Sequence, residues 1–498
     1  MTISEDIHSA ITHINSIAVI GAGAGGAATI KALVAENKFD RIQGFEKRSS
    51  FGGIWNYSDI TDSNEEIPIP SETPIELPPR LVDGEYVYPT PVYENLDTNV
   101  PKDLMSYGGL EFDAKLPIFP KREDVLKYVD EYSEEIRPYV RFNTKVVSVE
   151  LIHDTSSTKW KVTSRAIDET TQGGSVVGVE GDVVEIFDAV VIATGNYDIP
   201  YIPDRSGISA WNEKFPGVIS HAKSYRNPQQ FEQVSGEIVI VGNSASAGDL
   251  AYQLATSLKN RKIFKSTRSV NLLPAGKSEL IQEIADIDKF DVDSKSIVLV
   301  DGTVIPDIGA VIFATGYIKS FPFFKDILPY PLVTDGHKVH GTYNHVILYN
   351  YPNLAIIGLP KFVLPMRTAE TQACWLANIW TGKINLPSVN HMQEWEDHRI
   401  SVKGNGRKFH DLIFPEDVQY CKSLTEQVIQ AGGKLIPHDW DKQQISVRSM
   451  LKSIKEAYID YKARTGKLAA SYQELIDAGV IDSVCISDEK LQELGFKV

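Results

Sequence analysis

Cysteine is scarce, an excess of basic charge is absent, and long apolar runs are missing. Cys374, Cys421 and Cys485 are the only cysteines in 498 residues, and no two form a Cys-x-x-Cys pair. That argues against a disulfide framework, a cysteine-built metal site and dithiol reductase chemistry, so no metal is expected. It fits a reducing compartment. Lys and Arg total 50 against 66 Asp and Glu, a net charge of −16. A chain this acidic is unsuited to binding nucleic acid or an anionic membrane through bulk charge. Anionic ligands would need local backbone and arginine sites. No apolar run approaches the roughly 18 residues that span a bilayer. The opening MTISEDIHSA is too polar for a signal peptide. A cytoplasmic location without a membrane span is the expectation.

What is present is a repeated pattern. IAVIGAGAGGAATIKALVAEN and RIQGFEK read as strand, glycine turn, helix and strand from about residue 17. Residues 62–91 are proline-rich and read as a long ordered loop, a kind that is usually functional. Helical spacing resumes at KREDVLKYVDEYSEEI. An alternating stretch from Arg141 to Ile186 reads as an antiparallel meander leading into DAVVIATGNY. Then the pattern recurs. GEIVIVGNSASAGDLAYQLATSL opens a second unit closing on KIFKSTRSV, SKSIVLVDGTVI is a second meander, and AVIFATGYI repeats the Ala-Thr-Gly ending. LAIIGL reads as a last buried strand and AETQACWLANIWTG as a helix. The two units lie about 220 residues apart. An α/β chain with two dinucleotide-binding, Rossmann-like domains follows.

Gly21, Ala22, Gly23, Ala24, Gly25 and Gly26 fit G-x-G-x-x-G between a strand and a helix. Gly21 allows the tight turn, Gly23 the approach of a pyrophosphate, and Gly26 close helix packing. Glu46 ends the next strand, 20 residues past Gly26, where a carboxylate accepts hydrogen bonds from ribose hydroxyls. The second turn is Gly242-Asn243-Ser244-Ala245-Ser246-Ala247-Gly248-Asp249. Ser244 stands where the second glycine is usual, and Ala247 replaces the third. Arg268 follows Ala247 by 21 residues, beside Ser266 and Thr267, with no acid at that strand end. A guanidinium with hydroxyls suits the 2′-phosphate of NADPH.

Gly52-Gly53-Ile54-Trp55 lies just beyond Glu46. Phe215-Pro216-Gly217-Val218-Ile219-Ser220-His221-Ala222-Lys223-Ser224-Tyr225 fits F-x-G-x-x-x-H-x-x-x-[FY]. With the FATGY segment from Phe313 to Tyr317, the chain resembles the flavin-containing monooxygenases over most of residues 15–440. Its length, its YPNLAIIGL segment and its polar tail are most similar to soluble fungal members described as thiol-specific. The related Baeyer–Villiger enzymes end the motif in tryptophan, not in a residue like Tyr225.

The resemblance implies FAD at the first turn, with Gly53, Ile54 and Trp55 along the flavin side. It implies NADPH at the second turn, lined by Gly242, Ser244, Ser246, Ala247, Gly248 and Asp249, with Arg268 on the phosphate. The NADP domain, 209–320, would be inserted between the two parts of the FAD domain, 1–208 and 321–440, with a helical extension over 441–498. The Tyr93–Asn99 segment matches a family segment ending in Thr-Asn. That implies Asn99 at the flavin edge, as the catalytic candidate, with Thr98 and Val100 nearby. Glu370-Thr371-Gln372-Ala373 is expected to begin the last core helix and aim its dipole at the flavin, with Gln372 as a contact. His221 invites an acid–base role, but a structural place in the linker is preferred.

The implied reaction is NADPH-dependent oxygenation of a soft sulfur or nitrogen nucleophile by O2 through a flavin hydroperoxide. The alternatives are Baeyer–Villiger oxygenation of ketones, a reductase without oxygenation, and a non-catalytic scaffold. The oligomeric state is left open.

Overall fold

A computed structural model describes the chain except residues 1–12, 62–66, 76, 154–157, 168–180, 259, 269–272, 274, 325–330 and 497–498. The reading of the first ten residues, and parts of the proline-rich loop and first meander, lie outside the described residues.

The first unit builds a seven-stranded sheet. The apolar strand Ser16–Ile20 pairs in parallel with Arg41–Phe45 on one side and with Ala189–Ile192, the middle strand of the seven, on the other. Tyr351–Ile356 adds in parallel beyond Ala189–Ile192, so the LAIIGL segment completes the sheet of the first turn. The strands Ile347–Leu348 and Thr342–Tyr343 close that edge antiparallel. The central strands are buried on both faces, which is why they read as unbroken apolar runs. The helix Ala24–Glu36 covers one face and packs on the helix Pro365–Trp380.

A second sheet of five parallel strands runs in the order Ile219–His221, Ile308–Phe313, Glu237–Val241, Ile263–Ser266, Ile281–Ile284. The two halves repeat the same contact. A Cβ on Gly21, whose φ is +97°, would lie 2.6 Å from the Ala193 carbonyl oxygen; one on Gly242, φ +137°, would lie 2.5 Å from that of Ala314. Each Ala-Thr-Gly segment therefore packs beneath its own glycine turn, and neither glycine tolerates a side chain. The antiparallel pair Ile199–Pro200 with Tyr317–Ile318 joins the chain where it leaves and re-enters the first unit.

Three elements differ from the expectation. The helix AETQACWLANIWTG starts earlier, at Pro365, because proline fits the first helical position. It is followed by further helices and is not the last. The proline-rich loop contains a hairpin, Arg80–Val82 with Glu85–Val87, turned by Asp83-Gly84 at φ +51° and +88°. The strand Ile281–Ile284 was not anticipated. Beyond residue 440 the chain is helical: Lys442–Ser449, Leu451–Thr465, Tyr472–Asp477 and Asp488–Glu493. These pack onto Leu104, Ile118, Phe119 and Leu364 in one apolar cluster. Among the described residues no helix is long and apolar enough to cross a membrane.

Candidate functional site

The first turn opens onto a cavity of about 480 Å³, within the range of cofactor sites. Gly21, Gly23, Ala24, Gly25, Glu46, Gly53, Ile54, Trp55, Thr98, Asn99 and Val100 all line it. Ala22 and Gly26 stand behind the wall. Ala22 donates its N–H to Glu46 Oε2 at 2.8 Å. A Cβ on Gly26 would come within 1.9 Å of the Gly21 carbonyl oxygen, so that position sets the helix against the strand.

The fit to a dinucleotide rests on three features. No side chain caps the helix Ala24–Glu36, so its N-terminal N–H groups face the cavity uncapped. The Gly23 position is walled by Gly53, whose Cα would be 3.3 Å from any added Cβ. Glu46 is buried and holds the turn, accepting from Ala22 through one oxygen and from the Arg48 N–H at 2.9 Å through the other. Each carboxylate oxygen keeps acceptor capacity towards the cavity.

The sequence reading missed several lining groups. Pro89, Thr90 and Pro91 bring the proline-rich loop over the cavity. Gly358 and the true helix start at Pro365 and Met366 close the far wall. Lys47 and Asp198 add charge. Lys223, buried within the 215–225 motif, donates to the Asp198 carbonyl at 2.7 Å and carboxylate at 2.9 Å. Lys47 stands 3.6 Å from that carboxylate. Burial alone would raise the Asp198 pKa, but Lys47 and Lys223 outweigh it and hold it well below the usual range. Burial draws Lys47 down from the ordinary lysine value, with Asp198 opposing.

Gln372 stands apart from the other expected flavin contacts. It is fully buried behind the cavity wall, in the second turn of its helix, and does not line the cavity. Its Oε1 accepts from the Gly358 N–H at 2.9 Å, and its Nε2 donates to the Tyr420 hydroxyl at 2.9 Å. It fixes the wall residue Gly358 from behind.

The second turn does not line this cavity. Ser244, at φ −97°, needs no glycine conformation, and its helix Ala245–Ser257 is likewise uncapped by any side chain. Ser246 is exposed, whereas Ala247 and Gly248 are buried. The Asp249 carboxylate turns inward. It accepts from the Tyr93 hydroxyl and from Gln253 Nε2 at 3.0 Å. Tyr225, the end of the motif, donates to Gln253 Oε1 at 2.9 Å and meets the Tyr93 ring edge-on at 5.4 Å. Gln253 also donates to the Asn95 carbonyl at 3.3 Å.

The segment 93–100 thus spans both turns. Tyr93 and Asn95 grip the second helix, and Thr98, Asn99 and Val100 reach the cavity of the first. Thr98 is buried, its N–H donating to the Pro120 carbonyl and its hydroxyl to the Val100 carbonyl. Asn99 is half-buried on the cavity wall, and among the described residues its carboxamide bonds to no protein group.

Arg268 carries a neighbour that the sequence did not reveal. Its Nε donates to Asp286 at 2.7 Å, and Arg205 shares that carboxylate at 3.3 Å. Asp286 arrives just past the unanticipated strand Ile281–Ile284. Arg268 remains 58% exposed.

His221 takes the structural place. Its Nε2–H donates to the Gly316 carbonyl at 3.0 Å and its Nδ1 accepts from the Lys223 N–H at 3.1 Å. Burial pushes its pKa down to about 3, so it stays neutral and does not face the cavity.

The chain matches the flavin-binding monooxygenase-like family model over residues 85–279 and 280–435. It is 26% identical over 479 residues to a thiol-specific monooxygenase of Saccharomyces cerevisiae, covering 92% of this chain and 95% of that one. It is 30% identical over 386 residues to flavin-containing monooxygenase FMO GS-OX-like 1 of Arabidopsis thaliana, covering 76% and 74%. Among solved structures, S-allyl-L-cysteine S-oxygenase from Allium sativum shares the fold at a TM-score of 0.70 and 24% identity, over 93% of this chain and 97% of that one.

Proposed function

Because the chain belongs to the flavin-binding monooxygenase-like family, and so is an FAD- and NADPH-dependent oxidoreductase, we propose that it transfers one oxygen atom of dioxygen to small soft nucleophiles. Thiols come first, then other sulfur compounds and amines. The observation that carries this reading is the 93–100 segment, bonded at one end to the helix of the second turn and presenting Asn99 to the cavity of the first.

Bound FAD, reduced by NADPH, supplies the oxygen-activating chemistry. The residues of the chain bind and orient. Gly21, Gly23, Ala24, Gly25 and Glu46 would hold the pyrophosphate and ribose of FAD, with Ala22 and Gly26 shaping the turn from behind and Gly53, Ile54, Trp55, Thr98 and Val100 along its other end. Gly242, Ser244, Ser246, Ala247 and Gly248 cradle the second dinucleotide, and Asp249 braces that turn from behind. Arg268 exchanges Asp286 for the 2′-phosphate. Asn99 is the catalytic residue in this reading. Its amide donates and accepts at once, so it would orient polar groups of both cofactors at the cavity wall. The same reading makes 1–208 and 321–440 the FAD domain, 209–320 the NADP domain and 441–498 an extension, in a cytoplasmic protein. The name of the yeast relative supports thiols as the substrate class.

Product analysis with a small thiol, a thioether and a cyclic ketone under NADPH tests the assignment. A sulfoxide from the thioether and a disulfide, formed through the sulfenic acid, from the thiol are expected, with the ketone untouched. Conversion of the ketone to its lactone, with sulfur compounds inert, would overturn it in favour of Baeyer–Villiger chemistry.

A further inference from the structure

The helix Leu451–Thr465 lies beyond the residues matched by the family model, yet it touches the segment that carries Asn99. Lys455, on this helix, is 4% exposed. Its ammonium donates to the Thr98 carbonyl oxygen at 2.6 Å. It stands 4.4 Å from the centre of the Phe119 ring and 5.4 Å from that of Tyr458. Two residue turns further along, Lys462 pairs with Asp97 at 2.8 Å.

A buried ammonium is costly unless it is hydrogen-bonded and its charge is met. The helix does not need this lysine for packing. Leu451, Ile454, Ala457 and Tyr458 already bury its apolar face. Burial lowers the Lys455 pKa to about 8, with Asp97 and Asp249 opposing and Lys462 adding to the fall. A charge kept in so unfavourable a place points to its bonded partner.

That partner is the peptide joining Thr98 to Asn99. Its carbonyl oxygen is held by Lys455, and its N–H belongs to Asn99. Fixing the oxygen fixes the peptide plane, and so the direction in which Asn99 leaves the backbone. A cation on the oxygen also polarises the plane and strengthens the Asn99 N–H as a donor. Thr98 is fixed from its other side by the bonds to Pro120 and Val100.

We propose that Lys455 is a positioning residue for Asn99, and that the 441–498 extension serves to deliver it beneath the Thr98–Asn99 peptide. The inference rests on the reading of Asn99 given above.

The test uses purified flavin-loaded enzyme and four proteins: wild type, Asn99→Ala, Lys455→Met and the double variant. Three quantities are read: the ratio of hydrogen peroxide released to product formed during turnover with NADPH at saturating thiol, the change in flavin absorption on NADP⁺ binding, and the rate of flavin reduction by NADPH. Losing a charge-assisted hydrogen bond should raise the peroxide ratio by about tenfold in Lys455→Met and shrink the spectral change. Flavin reduction by NADPH should change less than the peroxide ratio, since Lys455 bonds to the Thr98 carbonyl and, among the described residues, donates no hydrogen bond to the second turn. The double variant should be no worse than Asn99→Ala alone.

Peroxide release in Asn99→Ala but not in Lys455→Met overturns the positioning role. No effect in Asn99→Ala overturns the reading of Asn99 itself. Additive effects in the double variant assign Lys455 a separate, merely structural role and also overturn the proposal. Should Lys455→Met fail to fold, Lys455→Gln carries the test with a neutral amide in place of the ammonium. A smaller rise in the peroxide ratio is then expected, and an unchanged ratio with an unchanged flavin spectrum overturns it.

Discussion

At the scale of single residues, Gly26 and Glu46 show how little freedom the first turn has. Gly26→Ala would drive a methyl into the Gly21 carbonyl at 1.9 Å. We expect a loss of roughly 1–3 kcal/mol of stability from the overpacking, together with loss of bound flavin. Denaturant unfolding and the flavin content of the purified variant check both. Arg268 is a different case, because its guanidinium is already paired. Arg268→Ala should cost roughly 1.5–3 kcal/mol of NADPH preference, as expected for a charge-assisted contact. The ratio of kcat/KM for NADPH to that for NADH reads this directly, and a variant with the parent ratio would remove Arg268 from the site.

His221 gives a pH prediction with a definite sign. Its folded pKa of about 3 lies below the ordinary 6.5. Between those values the unfolded chain takes up a proton that the folded chain refuses. The contribution of His221 is therefore fully present above pH 6.5 and is lost as pH falls towards 3, at up to about 1.4 kcal/mol per pH unit. Comparing wild type with His221→Gln in urea at neutral pH and near pH 5 checks it. The variant should show a shallower loss of stability, and its rate near neutrality should show no missing ionisation.

At the scale of elements, the buried helix Pro365–Trp380 works through its polar residues. Gln372 holds Gly358, and Glu370 accepts two bonds at 2.9 Å from the Gly108 N–H. Gln372→Leu should leave the fold in place but free the Gly358 wall, weakening FAD binding by about tenfold. Titration of apoprotein with FAD measures it, and unchanged affinity would show that Gly358 needs no anchor.

Legibility in the sequence followed the range of the interactions. The first turn was readable because its steric needs are local: glycine spacing, a flanking strand and an acid at the right distance. The start of the Pro365 helix was missed because the apolar periodicity becomes plain only from Ala369. The Asp83-Gly84 hairpin carried a turn signal that the surrounding prolines obscured. Asp286 was invisible beside Arg268, because the strand that brings it there is short and alternates no clear apolar face.

At the scale of the whole molecule, the repeated Ala-Thr-Gly ending anticipated two sheets, and each ending does pack beneath its own turn. The bridge between the halves was only half legible. The match of residues 93–99 to a family segment marked it, but its bonds to Gln253 and Lys455 join residues 158 and 357 positions apart. No local pattern encodes such pairings. The role of the C-terminal helices emerges only when the chain is folded.

The central claim is transfer of one oxygen atom from dioxygen to sulfur at the expense of NADPH. The most direct measurement is turnover of a small thioether, whose sulfoxide keeps the transferred oxygen, under ¹⁸O₂, with mass analysis of the product and a parallel count of NADPH consumed. A product bearing one heavy oxygen for each NADPH oxidised is expected. An unlabelled product, or NADPH consumed with only labelled hydrogen peroxide formed, would contradict it.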